Sequence, residues 1–352
     1  MKKVLSIDGG GIRGIIPAMV LAEIERRTGK LTSEVFDLVA GTSTGGILAL
    51  GLTKPGQGGK AQYSAETLIE LYETEGGKIF DLSVWHQLQS VGGFAEEKYP
   101  SKGIEEVAKR YFDDVPLAEA LTEVLVTAYE IERRGPWFFK RRHARDQDRK
   151  GDNFLMREVA RATSAAPTYF EPLQLEWGPY GERAFIDGGV HSNNPAMCAY
   201  VEAIKIYPEE DILVVSLGTG EPTREMPYEE VKGWGFALWA QPILNVVFDG
   251  VSDTVDYQLR ELLRSEGDDK RYYRFQTKLD PGMHDMDDAS APNIQSLKTK
   301  AKEIISKNDA DWELCARSWS PNGLAKFTVD REESNFVLIR CCRDRPRVGR
   351  RR

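Results

Sequence analysis

Along the first fifty residues the spacing of apolar side chains changes character three times. Lys3 to Ile7 is a short β-prone run, and Asp8-Gly9-Gly10-Gly11 stops it, because glycine loses most entropy in a strand and opens turns that other residues resist. Ile16, Met19, Val20 and Ile24 then recur at helical spacing, with Pro17 in the tolerated first turn and Arg26, Arg27 and Gly29 at the end, which predicts a helix from Ile15 to Arg27. Val35 to Ala40 is a second buried-strand pattern. It runs into Gly41-Thr42-Ser43-Thr44-Gly45, and the following Gly46-Ile47-Leu48-Ala49-Leu50 is apolar nearly all round, as in a helix buried on every side.

Farther along, Glu123 to Ile131 and Trp137 to Arg141 read as strands joined at Arg133-Arg134-Gly135-Pro136. Arg183 to Asp187 is a short strand ending in glycines, and Asp211 to Leu217 is a buried strand ending in Gly218-Thr219-Gly220. Helical patterns lie between them, so an α/β layered fold with a largely parallel sheet is expected. The soft stretches Lys54 to Lys60 and His143 to Asp152 are too short for linkers, which leaves one main domain over 1–310 and an extension over 311–352. From Arg340 to Arg352 the chain holds seven arginines and one acid, a tail expected to be disordered.

At 352 residues the chain can bury a sizeable core without covalent staples. Its 47 Lys and Arg against 55 Asp and Glu give a net charge of −8, which does not suit a protein that coats DNA or RNA. Cys198, Cys315, Cys341 and Cys342 show neither CxxC spacing nor pairing with His86, His143, His191 or His284, so no metal site and no disulfide framework is expected, and a reduced cytoplasmic compartment is. No window approaches the ~18 apolar residues of a membrane-spanning helix. Any membrane would be met peripherally.

GTSTG at 41–45 is a G-x-S-x-G turn between a buried strand and a buried helix, the setting in which such a serine projects its hydroxyl above a sheet edge. Ser43 is the candidate nucleophile; its alternative role is a helix cap. Gly9 to Gly14 matches GxGxxG, but the strand after it ends in GTSTG rather than in a ribose-holding acid, which weakens a dinucleotide site. The other role for this turn is an oxyanion hole built from the N–H groups of Gly10 and Gly11 with Arg13 nearby. The usual base for a serine is histidine, yet His86, His143 and His284 are poorly placed in sequence, and only His191 lies near a likely active-site turn. Asp187, at a strand end before Gly188 and Gly189, is the alternative base, and would need desolvation to raise its pKa.

Together, DGGGIRG at 8–14, GTSTG at 41–45 and DGG at 187–189 resemble the patatin-like phospholipases, lipid acyl hydrolases. Ala162 to Phe170 and Ser216 to Gly220 are similar to further segments of that family, and the resemblance spans about residues 1–220. It implies a three-layer α/β/α fold with a mostly parallel central sheet and a Ser43–Asp187 dyad without histidine or cofactor. Gly10, Gly11 and Arg13 would form the oxyanion segment, and Gly9, Gly14, Gly41, Gly45, Gly188 and Gly189 the turns. The substrate implied is a membrane phospholipid, cleaved at the inner face of the membrane. Compact bacterial members also resemble antiphage effectors switched on by cyclic nucleotides, so such an activator, and an oligomer, stand as expectations. A Ser-Asp-His esterase, or a nucleotide-sensing scaffold that holds phosphate in the glycine turn, are the alternatives.

Beyond residue 220 the resemblance gives no guidance. The aromatic stretch from Trp234 to Phe248 is expected to pack in the core, with an acyl pocket, membrane face or subunit contact as alternatives. Trp137-Phe138-Phe139 followed by Lys140-Arg141-Arg142 reads either as a membrane-interface patch or as a hairpin strand with a basic end. The arginine tail could grip lipid phosphates.

Overall fold

The computed structural model describes residues 1–80, 99–149, 151–223, 225–239, 242–264 and 270–312. The arginine tail, His86 and the cysteines at 315, 341 and 342 lie outside the described residues. Eight strands form one sheet: β1 (Lys2–Ile7), β2 (Leu38–Thr42), β3 (Glu123–Glu130), β4 (Gly135–Lys140), β5 (Leu173–Glu176), β6 (Glu182–Asp187), β7 (Ile212–Leu217) and β8 (Tyr272–Phe275). Their order is β5-β6-β3-β2-β1-β7-β8, with β4 also on β3. The run β3-β2-β1-β7-β8 is parallel throughout, whereas β4 and β6 are antiparallel to β3.

Alternation along the strands builds the layers. Leu5, Ile7, Val39, Leu213 and Val215 pack on one face against the helices Ile15–Thr28, Thr44–Thr53, Ala65–Ile79 and Ala291–Lys307. Val4, Leu38, Ala40, Ile212 and Val214 pack on the other face against Ala196–Ile206 and Pro242–Leu262. The result is a three-layer α/β/α domain with a mixed, mostly parallel sheet.

Two expectations need correction. Val35 and Phe36 are not strand residues: Thr32–Val35 forms a helical turn, its entry held by the Glu34 carboxylate on the Leu31 N–H, and β2 starts only at Leu38. The Trp234–Phe248 stretch is not core. Phe248 is buried, but Leu238, Ile243 and Val246 are exposed, because the helix Pro242–Leu262 turns only one face, with Phe248, Ser252 and Leu259, toward the domain. Of the two readings of Trp137 to Arg142, the hairpin strand is present, ending at Lys140 before a helical turn over Arg141–Ala144: Phe139 is buried among aromatic rings, Lys140 and Arg142 pair with the buried Glu202, and Arg141 pairs with Glu123.

The register of β3 places the site. β4 covers one edge of β3 from Leu125 to Glu130, so β2 and β6 must share the opposite edge end to end. β2 terminates with Thr42 opposite Thr127, and β6, running the other way, terminates with Asp187 opposite Ala128. Two segments more than a hundred residues apart therefore deliver their carboxyl ends to adjacent residues of one strand.

Candidate active site

Ser43 follows β2 directly and starts the helix Thr44–Thr53 with φ 54° and ψ −124°, a backbone conformation that side-chain-bearing residues seldom adopt. Glycine is required beside it: a Cβ on Gly45 would lie 2.2 Å from the Ile7 carbonyl oxygen. Strain at Ser43 is held by specific bonds. Its N–H donates to Thr163 Oγ1 at 2.8 Å, and that hydroxyl donates to the Thr127 carbonyl at 2.7 Å. One residue earlier, Thr42 Oγ1 donates to the Ser192 carbonyl at 2.6 Å, so the 2.7 Å contact between Thr42 and Thr127 hydroxyls must have Thr127 as donor.

Across from the serine, the Asp187 carboxylate accepts a hydrogen bond from the Gly189 N–H at 2.7 Å, and the Ser43 hydroxyl lies near enough to favour its ionised form. Asp187 is 2 % exposed. Burial pushes its pKa up to about 7, with the Ser43 hydroxyl and the Gly189 N–H pulling the other way. Gly188 and Gly189 let the chain turn tightly after β6: a Cβ on Gly188 would strike the Thr127 hydroxyl at 2.1 Å.

Ser43 and Asp187 share an open cleft with Gly10 and Gly11; its wall is apolar, including Ile12, Leu71, Ile79, Phe80, Phe170 and Phe248. In the glycine turn the N–H of Gly9 donates to the Asn193 carbonyl, that of Ile12 to the Met286 carbonyl and that of Arg13 to the Gly10 carbonyl. The N–H groups of Gly10 and Gly11 have no acceptor among the described residues. Gly11 has φ 59°, and a Cβ there would meet the Met286 carbonyl oxygen at 2.0 Å, so the turn needs glycine.

The structure thus brings Ser43, Asp187, Gly10 and Gly11 to one cleft. Arg13 is not in it. Arg13 Nε donates to the Gly10 carbonyl at 3.3 Å, which braces the turn from behind, and its guanidinium faces a second, polar pocket. Gly9, Gly14, Gly41 and Gly45 serve close packing around the two turns. No histidine among the described residues lines the cleft. His191 Nε2 bonds the Ala128 carbonyl at 3.0 Å with its ring against Phe138, His284 reaches Thr223, and His143 sits beside Arg149.

Several residues of this arrangement had no role legible in the sequence, although Thr42, Thr163 and Thr219 lie in segments it singled out. Thr42, Thr127 and Thr163 lock the elbow, Asn193 ties the glycine turn to the Asp187 segment, and Thr219 Oγ1 donates to the Gly9 carbonyl at 2.6 Å. The Asn193-Asn194-Pro195 run just after the Asp-Gly-Gly turn was the one local hint, since polar residues following such a turn often complete its hydrogen bonds. Among the described residues no cluster of His, Cys, Asp or Glu could hold a metal ion, and no helix is long and apolar enough to cross a membrane.

Comparison with known proteins agrees with these features. The sequence model of the family described as patatin-like phospholipase matches residues 5–200. The chain is 32 % identical over 340 residues to patatin-like protein 2 of Arabidopsis thaliana, covering 86 % of this chain and 83 % of that protein. It is 31 % identical over 346 residues to patatin-like protein 2 of Oryza sativa subsp. indica, covering 88 % and 84 %. It is also 28 % identical over 363 residues to a probable inactive patatin of Solanum tuberosum, patatin-3-Kuras 1, covering 95 % and 94 %. With its elbow, glycine turn and Asp-Gly-Gly turn gathered on one sheet edge, this chain belongs to the patatin-like phospholipase family.

Proposed function

We propose that the protein hydrolyses acyl esters of glycerophospholipids through an acyl-enzyme on Ser43, with Asp187 as the sole proton acceptor. The observation that carries this reading is the meeting of Ser43 in one cleft with a buried carboxylate, Asp187, whose pKa burial pushes up to about 7. An ordinary aspartate near 4 is a weak base, and one near neutrality is matched to proton transfer at physiological pH. Ser43 Oγ attacks the ester carbonyl as Asp187 takes its proton. Negative charge on the carbonyl oxygen meets the N–H groups of Gly10 and Gly11, and Asp187 returns the proton to the departing lysolipid alcohol. Water then attacks the acyl-enzyme, giving its proton to Asp187, and Ser43 recovers its hydroxyl as the fatty acid leaves.

The apolar cleft wall suits the acyl chain. Exposed Leu238, Ile243 and Val246 flank Phe248, which lines the cleft, and favour peripheral approach to a bilayer from that side. A fluorophosphonate probe is expected to label Ser43 in the wild type and nothing in Ser43→Ala. Fatty-acid release from phospholipid vesicles is expected to vanish in the same variant; release that persists defeats the reading. Running that assay with and without cyclic dinucleotides tests for an activator.

A further inference from the structure

Behind the glycine turn lies a second pocket whose chemistry is the reverse of the cleft. Four carboxylates, from Asp8, Glu221, Asp249 and Asp253, and two guanidiniums, from Arg13 and Arg274, line it. Arg274 is already neutralised: its Nη2 donates to Asp8 Oδ2 at 2.6 Å and its Nη1 to Ser216 Oγ at 2.9 Å. Two buried polar atoms remain without a partner among the described residues, Asp8 Oδ1 and Arg13 Nη1, on residues that are 2 % and 6 % exposed. An acceptor and a donor left open in one pocket call for a molecule that offers both.

We propose that this pocket is a subsite for a primary ammonium group carried next to an oxygen acceptor, as in an ethanolamine phosphate. The excess of carboxylates favours a cation and opposes a bare anion. No aromatic ring lines the pocket, so a quaternary ammonium would lack the π-faces that recognise it, whereas a primary ammonium finds hydrogen-bond acceptors. Asp249 and Asp253 stand one turn apart on the helix Pro242–Leu262, Glu221 enters from beyond β7, and none of the three forms an ion pair among the described residues. Asp8 Oδ1 and these acids would hold the ammonium while Arg13 Nη1 faces the oxygen.

The pocket adjoins the cleft: Asn193 lines both. A phospholipid with its ester carbonyl at Gly10 and Gly11 could send its head group past Asn193 into the polar side. That lipid route rests on the proposed hydrolysis at Ser43; entry of a free small molecule does not.

Two arms test the proposal on the full chain. In the first, rates are compared on vesicles of phosphatidylethanolamine, phosphatidylcholine and phosphatidylglycerol with identical acyl chains, each normalised to hydrolysis of p-nitrophenyl butyrate. The ethanolamine lipid is expected to be favoured about tenfold over both others, and Glu221→Gln, Asp249→Asn and Asp253→Asn combined are expected to reduce that preference to near parity. In the second arm, soluble sn-glycero-3-phosphoethanolamine is expected to raise the Tm of Ser43→Ala protein and to lose that effect when the three acids are neutralised. A vesicle preference that needs the acids assigns the lipid as source; a Tm shift without it assigns the free molecule. Neither effect, or effects that survive neutralisation, overturns the subsite. If the wild type cleaves no ester yet the acid-dependent Tm shift appears, the hydrolase reading fails while the subsite stands.

Discussion

Two aspartates end neighbouring parts of the sheet in the same way and differ in what meets them. Asp8 follows β1 and Asp187 closes β6, and each is 2 % exposed. Burial raises the pKa of both. Asp8, however, faces Arg274 at 2.6 Å, a guanidinium as buried as itself, while Asp187 has only a hydroxyl and a backbone N–H. A guanidinium beside a buried carboxylate offsets part of that rise and ties the carboxylate into an ion pair. A carboxylate with neutral donors is left near neutrality, where gaining and losing a proton are both accessible.

The largest consequence is that the two asparagine replacements should move activity and stability in opposite directions. Asp187→Asn removes the base and is expected to cut kcat about 10³- to 10⁴-fold. It should nonetheless stabilise the fold at alkaline pH. The folded pKa near 7 lies above the unfolded value of about 4, so the wild type keeps its full contribution below pH ~4 and loses it as pH rises through 7. Thermal unfolding at pH 8 should show the variant ahead by up to a few kcal/mol, and at pH 4 no advantage. Asp8→Asn instead strands the Arg274 guanidinium and is expected to cost about 3–5 kcal/mol at every pH near neutrality. If Asp187→Asn were destabilised at pH 8 as Asp8→Asn is, the contrast between the two aspartates would collapse.

A milder probe of the same difference is the pH–rate profile. With Asp187 as base, kcat/KM should fall about tenfold per pH unit below an inflection near 7, and this limb should persist in His191→Ala and His284→Ala. An inflection near 4 would mean that the carboxylate is not desolvated in the working enzyme.

How much of this was legible beforehand follows from where each instruction is written. Ser43 and Asp187 stand in turns whose small neighbours are adjacent in the chain, so their presentation could be read locally. The hydroxyl lock could not. Ser43 meets Thr163 across 120 residues and Thr42 meets Thr127 across 85, and those meetings depend on strand register, which is set by the whole sheet. The apolar run Val35 to Ala40 read as one strand because a buried helical turn and a buried strand share composition over so few residues. β8 went unread because Arg274, which pairs with Asp8, interrupts its apolar run. The Trp234 to Phe248 stretch was misread for the opposite reason: aromatic content was taken for burial, where only one helix face is covered.

The lock itself separates positioning from chemistry. Thr163→Val keeps the shape but removes the acceptor of the Ser43 N–H and the donor to the Thr127 carbonyl. Leaving those groups unpaired is expected to cost on the order of 1–3 kcal/mol of stability and to lower kcat roughly tenfold or more, because the strained serine is no longer pinned. Thr163→Ser restores a hydroxyl and should recover most of both. KM should change little, since Thr163 does not line the cleft.

The smallest effect is expected where a conventional mechanism would put the largest. His191 is the histidine nearest Asp187 in the chain, and its Nε2 bonds the Ala128 carbonyl, opposite Asp187 in the β3–β6 register. Its position therefore supports the strand that presents the base rather than the base itself, and burial lowers its pKa, which keeps the ring neutral. His191→Ala should lower the Tm through the orphaned carbonyl and the space left against Phe138, yet leave kcat within about threefold. His284→Ala, whose ring bonds Thr223 away from the cleft, should change neither. A loss in either variant comparable with that in Ser43→Ala would restore imidazole to the proton path, and Asp187 would then be the residue that orients it.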